Sequence, residues 1–92
     1  MEILWSVPAA DDLERICAWI ERDSPQATRK VAFTIYETVG RLRDFPLLER
    51  ESSRLPGRRE LLFPSLPYIT VYRITAEAIE VSRVYHAAQN WP

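Results

Sequence analysis

Gly57-Arg58-Arg59-Glu60-Leu61, Pro67-Tyr68-Ile69-Thr70-Val71-Tyr72-Arg73 and Arg83-Val84-Tyr85-His86-Ala87-Ala88-Gln89-Asn90-Trp91-Pro92 are the three stretches that decide the fold. Residues 59–63 read as a strand, Pro64-Ser65-Leu66-Pro67 as a turn, and residues 68–74 as a second strand rich in aromatic and β-branched side chains, which suit a pleated surface. Thr75-Ala76-Glu77 makes the next turn. Residues 79–85 then alternate Ile79, Val81, Arg83 and Tyr85 against Glu80, Ser82, Val84 and His86, the period of a strand. Connections this short join antiparallel neighbours, so the second half of the chain is a three-stranded meander.

Working back toward the amino terminus, the period changes. Met1-Glu2-Ile3-Leu4-Trp5 is apolar except at Glu2, and Pro8 closes it, so it reads as a short strand at or near a sheet edge. From Ala9 the spacing becomes helical: Leu13, Ile16, Cys17 and Ile20 form one stripe, with Asp12, Arg15, Glu21 and Arg22 elsewhere. Asp23-Ser24-Pro25 supplies a break, a capping hydroxyl and a proline suited to a first helical position, so a second helix follows at once, with Val31, Ile35, Val39 and Leu42 as its stripe and Pro46 as its end. The tight link makes the two helices an antiparallel hairpin, with one face for a sheet and another for a partner. Residues 47–56 carry Glu49, Arg50, Glu51 and Arg54 without a steady period and read as a mobile surface loop. The element order is β-α-α-β-β-β, an α+β sandwich of one helical hairpin on a twisted sheet.

At 92 residues the chain is one small domain, 1–92, that buries about 60–65% of the surface exposed when unfolded. Hydrophobic residues make up 47% and charged residues 27%, a globular rather than disordered balance. Cys17 stands alone, so it cannot form an internal disulfide and, on an apolar stripe, acts as a small hydrophobe, consistent with a reducing cytoplasm. The amino terminus lacks a signal peptide's basic region, and no run approaches the ~20 apolar residues of a membrane span. Net charge is −1, but it is uneven. Residues 1–51 hold seven Lys/Arg against ten Asp/Glu, and residues 52–92 hold five against three. Eleven of the twelve cations are arginine, which favours planar contacts to carboxylate or phosphate.

The three opening stretches, in that order and at that spacing, resemble the RelE/ParE superfamily, the toxin subunits of type II bacterial toxin–antitoxin modules. There a strand opens with Arg-Glu-Leu, a second carries Pro-Tyr and Tyr-Arg, and a third ends in a His-x-x-Gln-x-Trp-like tail. The helical first half fits as well, so the resemblance covers nearly the whole chain. It implies a single RelE/ParE-like toxin domain, cytoplasmic, without a cofactor, forming a hetero-oligomer with a cognate antitoxin. Members similar to RelE cut mRNA on the ribosome; members similar to ParE share the fold and poison DNA gyrase.

Metal-free RNA cleavage needs a base, an acid and a cation for the pentacovalent phosphate. The resemblance makes Arg59 and Arg83 candidate cations and His86 a candidate acid. A base is missing, because Arg54 and Arg58 stand where several RelE-like nucleases place lysines, and arginine stays protonated. Glu60, next to Arg59, faces the other side of a regular strand. Arg83 and His86 are an odd number of positions apart, so one cleft can hold both only with a bulge or strand end near Tyr85. Plainer roles stand beside these. Arg59 and Glu60 would tie the sheet to the loop or helices, and His86 would hold the C-terminal tail through a backbone hydrogen bond. Tyr68 and Tyr72 would pack as core or rim aromatics, and Trp91 would cap an apolar patch.

With two glycines, one histidine and one cysteine, neither a phosphate-cradling glycine loop nor a zinc site can be built. The absent base, scarce lysine and low pI of 5.8 favour gyrase inhibition; the alternative is ribosome-dependent mRNA cleavage by Arg59, Arg83 and His86 with the base supplied by Tyr85, an unrecognised residue or the ribosome, and an inactive, antitoxin-binding member is a third. Arg54, Arg58, Arg59 and Arg73, with Tyr72 and Trp91, are the expected contacts for an acidic or amphipathic antitoxin segment or for the target.

Overall fold

The computed structural model describes residues 1–47, 50–63 and 65–88. Strand β1 spans Glu2–Trp5, helix α1 Val7–Glu21 and helix α2 Pro25–Gly40; a single 3-10 turn, Arg41–Arg43, follows, and then strands β2 Arg59–Leu62, β3 Tyr68–Ile74 and β4 Ala78–His86. The expected order is therefore observed, in one sheet ordered β1-β4-β3-β2. β1 is an edge strand, parallel to β4 through Glu2 to Ala78 and Trp5 to Val81, while β2, β3 and β4 form the antiparallel meander.

The helix boundaries follow from their caps. Ser6 Oγ accepts the Ala9 N–H at 3.1 Å, so α1 begins at Val7 rather than at Ala9, and Pro8 lies inside its first turn, where a missing N–H costs nothing. Pro8 therefore opens the helix instead of merely closing the strand. Ser24 caps α2 through the Ala27 N–H at 3.2 Å, with Pro25 at the first position as expected. Thr28 Oγ1 donates to the Cys17 carbonyl at 3.3 Å and ties the two helices together.

The hairpin covers one face of the sheet. Leu13, Ile35, Val39 and Leu42 meet Leu61, Phe63, Tyr68, Tyr72, Ile79, Val81 and Val84 there, with Ile16, Cys17 and Val31 at the margin. Burial, and secondarily the nearby Glu21, push the Cys17 thiol up, which suits a packing role. The opposite face carries a smaller cluster in which Leu55 and Ile69 cover Val71 and Tyr85.

Two features depart from the sequence-based expectation. The first is the bulge. Val71 pairs with Arg83 but Tyr72 pairs with Val81, so Ser82 is the extra residue, three positions before Tyr85. The second is the loop. Glu51 bridges Arg59, the Ser52 N–H donates to the Arg58 carbonyl at 2.8 Å and the Glu60 N–H to the Arg50 carbonyl at 3.0 Å. Residues 50–58 thus extend the sheet past β2 instead of waving in solvent. Their order rests on polar contacts and one apolar plug, Leu55, which leave no hydrophobic period in the sequence.

Candidate functional site

Asp12 organises the site. It is 6% exposed, and its Oδ2 accepts Arg83 Nε at 2.7 Å and the Val84 N–H at 2.9 Å, while Oδ1 accepts Arg83 Nη2 at 2.9 Å and Arg15 Nη2 at 3.0 Å. The Val84 bond has a topological cause. β1 accompanies β4 only as far as Val81, after which the chain turns: the Ser6 N–H takes the Val81 carbonyl and Ser6 Oγ takes the Ser82 carbonyl. Beyond that point the β4 edge has lost its neighbouring strand, and a carboxylate on α1 meets its next outward N–H. Burial raises the Asp12 pKa, but hydrogen bonds from Arg83, Val84 and Arg15 outweigh it and hold the carboxyl below its ordinary range. The same hydrogen bond raises the Arg83 pKa, against some burial.

Beside this ion pair a cleft of about 290 Å³ opens between α1 and β4, lined by Asp12, Arg15, Ile16, Trp19, Tyr68, Arg83, Val84 and His86. The His86 ring stands edge-on to Tyr68, centroids 5.5 Å apart, and its Nδ1 accepts the Ala88 N–H at 3.1 Å. That bond places the proton of the neutral ring on Nε2. It is a local contact with a residue two positions on, and the tail beyond Ala88 lies outside the described residues. Arg83 and His86 do share this cleft, but the bulge does not bring them there. They remain an odd number of positions apart beyond Ser82, and Arg83 reaches the cleft across the open β4 edge to Asp12.

Arg59 lies elsewhere. It opens β2 opposite Tyr72, whereas His86 lies opposite Tyr68, a separation of about 13 Å along β3. Its Nη2 donates to the Leu47 carbonyl at 3.5 Å, and it lines a different hollow with Glu51, Ser52 and Arg58. Glu60 points the other way, as a strand requires: it is buried and accepts from Arg50 Nη2 at 3.2 Å and Ser52 Oγ at 2.8 Å, tying the sheet to the loop.

The expected contact residues divide. Arg73 is engaged within the fold, gripping Glu80 with two bonds of 2.9 and 3.2 Å across β3 and β4. Tyr72 cannot be a surface contact: it is 0% exposed and spans the core to donate its hydroxyl to the Pro46 carbonyl at 3.0 Å. Arg54 is exposed and Arg58 half-buried on the ordered loop. Trp91 lies outside the described residues.

Asp12 is the cleft residue that sequence reading passed over. Its signal was present, since Ala9, Asp12, Leu13 and Ile16 share the i, i+3, i+4, i+7 spacing of the buried face. An acid at such a position must find a partner. Among the described residues no three His, Cys, Asp or Glu side chains come together as a metal set. Nor is any described helix long and apolar enough to cross a membrane.

Residues 3–91 match the family described as ParE toxin of type II toxin-antitoxin system, parDE. The protein Y4kP of Sinorhizobium fredii is 38% identical over 90 residues, covering 98% of this chain and 92% of that protein. Toxin RelE1 of Caulobacter vibrioides is 26% identical over 89 residues, covering 95% and 94%. A chain in the solved structure of the chromosomal ParDE TA system from P. aeruginosa superposes with a TM-score of 0.82 at 25% identity, covering 94% of this chain and 95% of that one.

Proposed function

From the premise that the chain belongs to the ParE toxin family of type II toxin–antitoxin systems, we propose that it is neutralised by direct binding of a cognate antitoxin and, when released, inhibits DNA gyrase. The observation that carries the second half is the dispersal of the would-be nuclease groups. Arg59 is about 13 Å along the sheet from the level of His86. Arg83 spends two of its three nitrogens on Asp12. Asp12, the carboxylate beside His86, is held below the ordinary pKa range and so makes a poor base. Such a site offers neither the base nor the convergent cations that phosphodiester cleavage needs.

Antitoxin binding is supported by what the hairpin leaves uncovered. Trp19 and Phe33 are each 67% exposed and Tyr36 is 56% exposed, on two helices whose other faces are already buried. An amphipathic partner helix suits such a surface, and the outer edge of β1 suits an added strand.

The alternative, a ribosome-dependent mRNA endonuclease, draws on the cleft shared by Arg83 and His86. His86→Ala separates the two, because the side chain is exposed and its loss leaves the core intact. On induction without antitoxin, the H86A chain is expected to arrest growth and switch on a DNA-damage reporter as the unaltered chain does, with intact messages. Loss of arrest in a soluble, folded H86A chain, together with loss of codon-phased mRNA 5′ ends that the unaltered chain produces, would establish the nuclease instead. Harmless expression of the unaltered chain would identify an inactive, antitoxin-binding member.

A further inference from the structure

β2 is the last strand in the sheet order, yet residues 50–57 run along its outer edge and arch onto the outer face. Two backbone bonds join this strap to the start of β2: the Ser52 N–H donates to the Arg58 carbonyl at 2.8 Å, and the Glu60 N–H to the Arg50 carbonyl at 3.0 Å. Ser52 makes the side-chain attachment. Its Oγ donates to Glu60 Oε2 at 2.8 Å and accepts the N–H groups of Arg54 at 3.2 Å and Leu55 at 3.1 Å. One hydroxyl thus ties the sheet to the turn that lays Leu55 over Val71 and Tyr85. Glu60 is buried, and its other oxygen accepts Arg50 Nη2 at 3.2 Å, so both partners of this carboxylate come from the strap.

The hold is polar and the packing thin. Leu55 is half-buried, whereas Glu51, Ser53, Arg54, Pro56 and Gly57 are exposed. A hollow of about 340 Å³ lies between the strap and β4, lined by Leu55, Pro56, Arg58, Ser82, Arg83 and Tyr85. A second, of about 320 Å³, separates the strap from Leu47 and Ile74. When the strap lifts, water replaces the bonds that Glu60, Arg50 and Ser52 lose, so each contributes only a modest net hold. Segments held in this way open far more often than core strands.

We propose that residues 50–57 lift from the sheet as one unit while the β3–β4 ladder stays folded, with the Ser52–Glu60 hydrogen bond as the catch. Gly57, at φ 75°, is the pivot at the β2 end. The closed form dominates; the lifted form uncovers Val71 and Tyr85, opens the β2 edge and releases Arg54 and Arg58 from their fixed places. This device goes beyond the antitoxin and gyrase readings and depends on neither.

The test is native-state hydrogen exchange of the full chain, followed by amide NMR across a urea series below the unfolding transition. The Ser52, Arg58 and Glu60 amides are expected to share one opening, about 100-fold or more above that of the β3–β4 ladder, with a small urea dependence. Ser52→Ala is expected to speed exchange about tenfold at Arg58 and Glu60, whose own acceptors it leaves in place, with ladder rates unchanged. Ser52→Thr keeps the hydroxyl and is expected to restore the slower rates, and Ser53→Ala, at the exposed neighbour, to leave them as they were. Strap amides exchanging at the ladder rate would overturn the proposal, as would Ser52 and Glu60 openings that differ by more than about tenfold. So would an S52A chain whose strap and ladder accelerate equally, or whose strap does not accelerate at all.

Discussion

Replacing Asp12 by alanine is expected to cost about 3 kcal/mol of folding stability, because it strips the Val84 N–H of its acceptor and leaves Arg83 without its carboxylate. Arg83 is 38% exposed on its side chain and can turn into water, which keeps the loss below that of a fully enclosed pair. For a domain of this size the melting temperature falls by roughly 12–24 °C. The same carboxylate sets a pH signature. Its folded pKa lies below the unfolded value of about 3.9, so between the two the unfolded chain binds more protons and stability rises with pH. The contribution is present above the unfolded value and disappears as pH falls through the folded one. Asp12→Asn, which keeps the shape and removes the charge, is expected to flatten that part of the acid-unfolding profile. Denaturant unfolding of D12A within 0.5 kcal/mol of the unaltered chain, or an unchanged acid profile for D12N, would refute the role given to Asp12.

The second large effect concerns the antitoxin. Charge reversal at both Arg54 and Arg58 is expected to weaken binding of the cognate antitoxin about 100-fold at low salt, with the difference shrinking as salt screens the contact. The loop carries both arginines on a backbone already ordered by Glu51, Ser52 and Glu60, so little entropy is lost when a partner docks. Arg73 is a poor choice for the same experiment, because reversing it breaks the Glu80 pair inside the sheet and confounds affinity with stability. Calorimetric titration at low and high salt reads the effect. Equal low-salt affinity for the double variant would remove this loop from the interface.

Much of this was legible in the residues. Periodicity and the Ser24-Pro25 cap located the four strands and two helices, since a stripe at helical spacing and a serine followed by proline each have a direct physical meaning, while the Ser6 cap and the 3-10 turn Arg41–Arg43 went unread. The family followed from three ordered stretches that now form β2, β3 and the β4 tail. What sequence could not deliver was the partnering of charges. Arg83 and Asp12 are 71 positions apart, and only the departure of β1 from β4 after Val81 brings a carboxylate to that edge. Arg73 and Glu80 lie on neighbouring strands, and their pairing is set by the turn that joins Thr75 to Ala78, on the hairpin side of the Ser82 bulge. Tyr72 has the composition of a rim aromatic, and its burial depends on the Pro46 segment folding back to accept its hydroxyl. The loop misled because its order comes from hydrogen bonds to Glu60 and Ser52 rather than from apolar spacing.

The most direct test of the central claim is a reconstituted supercoiling reaction containing DNA gyrase, relaxed plasmid and the purified chain, run beside a reconstituted translation reaction with the same preparation. Loss of supercoiling with accumulation of cleaved plasmid, and uncut message in the translation reaction, is the predicted result. Full gyrase activity alongside codon-phased cleavage of the message would contradict it and make the Arg83–His86 cleft a nuclease site.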